Sequence, residues 1–155
     1  MKKSYIFPSV FEHNNADLSL VSQDLINGLR LYIDDTAYVV GNLALNEGYS
    51  PHRTINASPN EIDYNILIKS ALLLATYKNS RPLVLTTGFP FTSYNVNKTI
   101  AKELIQRNHS IEFDMSTFSS KGKNEINVEV LNVEVIPEML GNIIALRKGE
   151  TNATG

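Results

Sequence analysis

Residues 59–90 hold the pattern that most restricts this chain. A long run of apolar residues at helical spacing is followed by a polar break at Asn79-Ser80. A short apolar strand, Leu83 to Thr86, comes next and stops at Thr87-Gly88-Phe89-Pro90. An apolar strand entered from a long helix and closed by a Gly-Pro turn belongs to α/β architecture. In such sheets ligands bind outside the carboxyl ends of the strands, so this turn is the first place to look for a site. The competing reading is a sheet turn that holds nothing.

The helix is expected over 59–78. Ser58 is placed to cap it, Pro59 suits the first helical position, and Glu61 completes a capping box. Ile62, Ile66, Leu67, Leu73, Leu74 and Tyr77 fall near helical spacing, and Ala71 to Ala75 is apolar all round, which implies burial on more than one side. A second helix is expected over 97–108, with Ile100, Ala101, Leu104 and Ile105 on one face.

Strand patterns surround these helices. Residues 4–11 read as a short extended segment broken by Pro8, and residues 12–28 as loop with at most one turn of helix. Leu29 to Ile33 and Tyr38 to Val40 flank Asp34-Asp35-Thr36 and suggest a hairpin, with Gly41 ending its second strand. Residues 46–60 read as a surface connection. Residues 111–118 alternate, Ser119 to Asn124 form a polar turn, and 126–136 alternate again. The phase slips at Leu131-Asn132, which signals a bulge or a change of burial. Residues 138–146 are expected to be helical after Pro137, and the tail 147–155 is polar.

Composition excludes several classes of function. With 155 residues, 43% hydrophobic and 19% charged, the chain suits one globular domain. A net charge of -2 offers no electrostatic footprint for nucleic acid. There is no cysteine, hence no disulfide, zinc-thiolate site or thiol catalysis. No apolar run reaches the roughly 20 residues of a membrane span, and the first residues lack the apolar region of a signal peptide. His13, His52 and His109 lack metal-ligand spacing, and no Gly-rich phosphate loop is present.

Five motifs in order resemble those of the bacterial actin-like proteins. They are Phe7-Pro8-Ser9-Val10, the run from Tyr38 to Leu45, the Ala-Leu-Leu-Leu helix at 71–74, Thr86-Thr87-Gly88-Phe89-Pro90, and Val133-Glu134-Val135-Ile136-Pro137-Glu138. The likeness is to ParM/StbA-type plasmid-segregation proteins, specifically their N-terminal domain, and covers most of residues 5–146. It implies a partial actin-like ATPase domain of the ribonuclease H-like class, a mixed sheet with flanking helices. Residues 24–59 would form a small inserted subdomain, and 5–23 with 60–146 the sheet-bearing part. It also implies ATP and magnesium in an intact parent, filament formation and a cytoplasmic location.

Neither Asp-X-Gly phosphate loop of the family occurs here. The chain alone is therefore expected to be inactive and to hold no cofactor, with self-association or the remainder of the parent as its partner. From the resemblance, Glu138 is expected to orient the attacking water, and Thr87, Gly88 and Pro90 to line the nucleotide. The other reading of Glu138 is a carboxylate favoured by a helix amino terminus. Two other functions stay open. In a small-molecule-binding domain Thr86, Thr87 and Thr92 would offer hydroxyls. In an interaction module the strands 111–118 and 126–136 would present an unpaired edge.

Overall fold

The computed structural model describes residues 4–14, 25–53, 58–114 and 123–138. In chain order the elements are β1 (Val10–His13), β2 (Arg30–Ile33), β3 (Thr36–Val40), α1 (Asn42–Glu47), β4 (His52–Arg53), α2 (Ile62–Thr76), β5 (Leu83–Phe89), α3 (Tyr94–Ile105), β6 (Asn108–Asp114) and β7 (Lys123–Pro137). Among the described residues the strands form one sheet in the order β4-β1-β3-β2-β6-β7-β5. All neighbours are antiparallel except β5 and β7, which are parallel. This is the mixed α/β sheet the sequence implies.

The 15-residue β7 joins the two parts of the sheet. Its first half pairs with β6, from Asp114↔Lys123 to Asn108↔Glu129. Its second half pairs with β5 on the opposite edge, from Leu83↔Val130 to Phe89↔Pro137. The register shifts between Leu83 and Val84, whose partners are Val130 and Asn132, so Leu131 is the extra residue of a bulge. Val128 and Val130 are buried before it, Val133 and Val135 after it, while Leu131 lies in solvent. The phase slip in the sequence is thus a bulge that keeps valines in the core on both sides.

The β2–β3 hairpin also matches its sequence signal. Ile33 pairs with Thr36, leaving Asp34-Asp35 as a two-residue turn. Both have positive φ, 50° and 63°, the geometry of a type I′ turn. Gly41 follows β3 with φ +65°, where a Cβ would stand 3.2 Å from that of Phe7.

The main core draws on every layer: Leu29, Leu31 and Val40 from the hairpin region, Ile66 and Leu73 from α2, Ile105 from α3, and Val133 from β7. A smaller cluster, Val10, Val39, Leu43 and Ala44, sits beneath α1 and ties β1 to β3.

Several expected boundaries move. Helix α2 starts at Ile62, and Glu61 is its N-cap without a side-chain cap bond. Ser58 Oγ instead donates to Asn60 Oδ1 at 2.6 Å and Ser58 O accepts from Glu61 N at 3.0 Å, so the capping box is replaced by a turn around the buried Pro59. Strand β5 continues through Thr87, Gly88 and Phe89 because β7 pairs with each of them. The turn comes at Pro90–Ser93, where Ser93 N donates to Pro90 O at 2.9 Å. Helix α3 therefore starts at Tyr94 and ends at Ile105, and Asn108 already belongs to β6. Strand β1 forms later than expected, over Val10–His13, because β3 and β4 flank it there. Helix α1 and the two-residue β4 lie in stretches read without them. Residues 115–118, most of the polar turn and the helix after Glu138 fall outside the described residues.

Strands β6 and β7 are interior, not edges: β6 lies between β2 and β7, and β7 between β6 and β5. Among the described residues the edges are β4, only two residues long, and β5.

Candidate functional site

Parallel pairing sets the carboxyl ends of β5 and β7 side by side. Gly88 pairs with Ile136 and Phe89 with Pro137, so Glu138 emerges next to Gly88. A Cβ built on Gly88 would lie 3.1 Å from Glu138 Cγ and 3.5 Å from Ile136 O. Glycine is what allows the Glu138 chain to pass this close. Glu138 itself is exposed.

Side-chain alternation then sorts the neighbouring residues by face. Val84, Thr86 and Gly88 share one face of β5. Val84 is 64% exposed and Thr86 is also exposed, so this face is open. Leu83, Leu85, Thr87 and Phe89 share the other face, which packs on the core, with Thr87 and Phe89 against Tyr64 of α2. Thr87 Oγ1 lies 2.8 Å from the Tyr64 hydroxyl. The Tyr64 ring stacks on Phe89 at 5.5 Å between centroids. Burial raises the Tyr64 pKa above the usual tyrosine value, and the bond to Thr87 only partly opposes it.

The helix after the turn holds the other edge of β7. Tyr94 Oη donates to Val135 O at 3.2 Å, and Gln106 Oε1 accepts from Val133 N at 3.2 Å. Val130 N donates to Arg107 O at 3.1 Å. The outer side of β5 meets no strand among the described residues.

The structure thus brings together Gly88 and Glu138. Pro90 follows two residues on, at the start of the turn. Thr87 lies on the opposite face, its hydroxyl engaged with α2. Tyr64 and Phe89, absent from the expected set, form the backing of the strand end; an aromatic residue in the first turn of an apolar helix was the signal available for Tyr64. No group of His, Asp or Glu among the described residues is arranged to hold a metal ion. No described helix is long and apolar enough to cross a membrane.

Residues 2–141 match the family model described as the N-terminal domain of actin-like proteins. No curated protein matches the chain in sequence. Among solved structures, the fold is similar to the archaeal actin homologue Ta0583, with a TM-score of 0.66 and 18% identity over 95% of this chain and 43% of that one. It is similar to the pSK41 ParM protein in its apo form, with a TM-score of 0.64 and 17% identity over 91% of this chain and 45% of that one. It also resembles AlfA in a filament bound to AMPPNP, with a TM-score of 0.55 and 12% identity over 84% of this chain and 44% of that one. The chain spans less than half the length of each of these proteins. The family match over residues 2–141, on a fold similar to those of these solved structures, shows that the chain belongs to the actin-like proteins and is an N-terminal domain of that family.

Proposed function

We propose that these 155 residues are one half of a nucleotide-gated, self-assembling actin-like ATPase, structural rather than catalytic on their own. The observation that carries this reading is the contact of Gly88 with Glu138 at the carboxyl ends of a parallel strand pair, where open α/β sheets take their ligands. Two neighbours add support: Ta0583 in complex with ADP, and AlfA as a filament with AMPPNP.

In this reading ATP with magnesium supplies the transferable phosphoryl group. The residues present fit part of that task. The exposed Glu138 carboxylate holds and orients the attacking water, a role suited to a reaction governed by geometry and electrostatics. Gly88 keeps the strand end free of a side chain, and Pro90 turns the chain away beside it. Thr87 supports the strand end through Tyr64 instead of offering its hydroxyl to a ligand. Phosphate-binding amides and magnesium-anchoring acids come from the remainder of the protein. The free side of β5, uncharged from Leu83 to Phe89, is the edge through which the domain meets that remainder or a second copy. A small subdomain over 24–59 belongs to the same proposal, carried by the family resemblance. So do a cytoplasmic location and a role in moving plasmid DNA through filaments, without direct contact with nucleic acid or membrane.

Thermal unfolding with ligands tests this. The intact protein gains stability with ATP and magnesium, about 2.7 kcal/mol at a hundredfold excess over Kd. The 155-residue chain alone is expected to show no shift with ATP and no turnover above a denatured control. Stabilisation of the intact protein by another metabolite, and none by ATP, overturns the proposal in favour of a small-molecule-binding domain.

A further inference from the structure

Strand β5 ends the sheet on one side. It pairs with β7 from Leu83 to Phe89, and among the described residues its other side meets no strand. The opposite edge, β4, is only two residues long. Short length is one way in which sheets blunt an edge; charge, proline and a bulge are others. None of these acts on β5. Its seven residues hold no charge and no proline, and the bulge in its pairing belongs to β7. Pro82 and Pro90 flank the strand and limit any added pairing to the stretch between them.

Exposed apolar side chains gather at the same edge. Val84 is 64% exposed, Leu131 in the bulge beside it 53%, and Phe91 just past the strand 68%. The order of residues along β5 shows which strand would suit it. A two-fold axis normal to the sheet at Thr86 runs two copies of β5 antiparallel and keeps their core faces on one side. Thr86 then meets Thr86, Leu85 meets Thr87, Val84 meets Gly88 and Leu83 meets Phe89. Threonine opposite threonine is a favourable cross-strand pair. The bare side chain of Val84 comes to lie beside Gly88, the one position with no side chain of its own, where the Glu138 stem passes. Leu83 and Phe89 continue the apolar face across the axis. Beyond the strand, the exposed Arg81 of one copy comes opposite Phe91 of the other, a cation facing a ring. No like charges meet within the paired stretch.

We propose that the edge of β5 is a self-complementary interface, on which a second copy of this chain adds its own β5 antiparallel about Thr86. The proposal commits the free edge to one occupant. It holds whether or not the intact protein hydrolyses ATP, so its test and the ATP test can fail separately. A single strand pair buries less than the roughly 1,200 Å² of a stable complex, so the association is weak and concentration-dependent.

The test combines sedimentation equilibrium of the 155-residue chain with cross-linking through one introduced thiol. The mass should rise towards that of a dimer in a series reaching about 1 mM, the weak end of protein association. Val84→Lys should weaken the dimer about tenfold, through loss of two symmetry-related cross-strand contacts. Val84 is largely exposed, so this variant keeps the fold, and circular dichroism checks that. The chain has no cysteine, so Thr86→Cys carries a single thiol. Residues directly opposite in antiparallel strands have Cα atoms about 4.5–5.5 Å apart, within the range a disulfide spans. Thr86→Cys should therefore form a covalent dimer under mild oxidation. Thr92→Cys, equally exposed but beyond the paired stretch, should not. A monomer throughout the series, or a dimer indifferent to Val84→Lys, overturns the interface. Equal cross-linking of Thr86→Cys and Thr92→Cys overturns the register.

Discussion

The link between Tyr64 and Thr87 is the clearest place to measure how α2 holds the end of β5. Both groups are half-buried, and their oxygens lie 2.8 Å apart. Tyr64→Phe removes one neutral hydrogen bond and leaves Thr87 Oγ1 partly hydrated, which costs about 1 kcal/mol. Thr87→Val removes the other partner at a similar cost. With both changes in place no polar atom is stranded, so the double variant should cost about the same as either single one. The coupling energy is then about 1 kcal/mol in a double-mutant cycle. For a chain of this size, each single variant lowers Tm by about 2–4 °C. Tyr64→Ala loses more, since the ring packed on Phe89 goes with the hydroxyl. Urea unfolding of the four cycle members supplies the numbers. A coupling energy under about 0.3 kcal/mol, the ordinary scatter of additivity, would refute the bond as a structural tie.

Two further outcomes follow from local geometry. Glu12 feels some desolvation, which raises its pKa, but backbone N–H groups of Ser50 and Tyr49 and the amide of Asn14 outweigh it and bring the net value below 4.5. A depressed folded pKa stabilises above the unfolded value and is lost as pH falls through the folded one. Glu12→Gln should thus destabilise the chain at neutral pH, and the gap to the parent sequence should close as pH drops below about 4.5, as read by urea midpoints. Gly41 has φ +65° and ψ -130°, a region nearly closed to other residues, with Phe7 close by. Gly41→Ala should cost about 1–3 kcal/mol in the same assay, whereas a cost near zero would mean that the backbone there relaxes freely.

Signals carried by neighbouring residues were legible in the sequence. Asp34-Asp35 between two apolar runs marked a hairpin because two-residue turns need residues that tolerate positive φ. The slip at Leu131-Asn132 marked a bulge or a change of burial because strand alternation has a strict period of two, and the register shift shows it to be a bulge. What escaped depended on partners far along the chain. Thr87-Gly88-Phe89 read as a turn because nothing local reveals that β7, more than forty residues later, pairs with it. The capping box at Ser58 and Glu61 fitted its pattern, yet burial of Pro59 set a different turn. Strands β6 and β7 alternated like an exposed edge, although β2 and β5 cover them. At the candidate site, the family motif pointed to both Gly88 and Glu138, and parallel pairing explains why they meet. That Thr87 faces Tyr64 depended on how α2 packs, which side-chain types alone do not disclose.

In the proposed reading Glu138 serves the hydrolytic step at the end of β7. The direct measurement is single-turnover ATP hydrolysis by the intact protein carrying Glu138→Gln, with ATP binding and filament assembly followed in parallel. Loss of a group that only positions water should slow hydrolysis by roughly 10²-fold while binding and assembly stay near those of the parent sequence. Hydrolysis unchanged, or hydrolysis and ATP binding lost in equal measure, would contradict the account and leave Glu138 as a surface carboxylate beside Gly88.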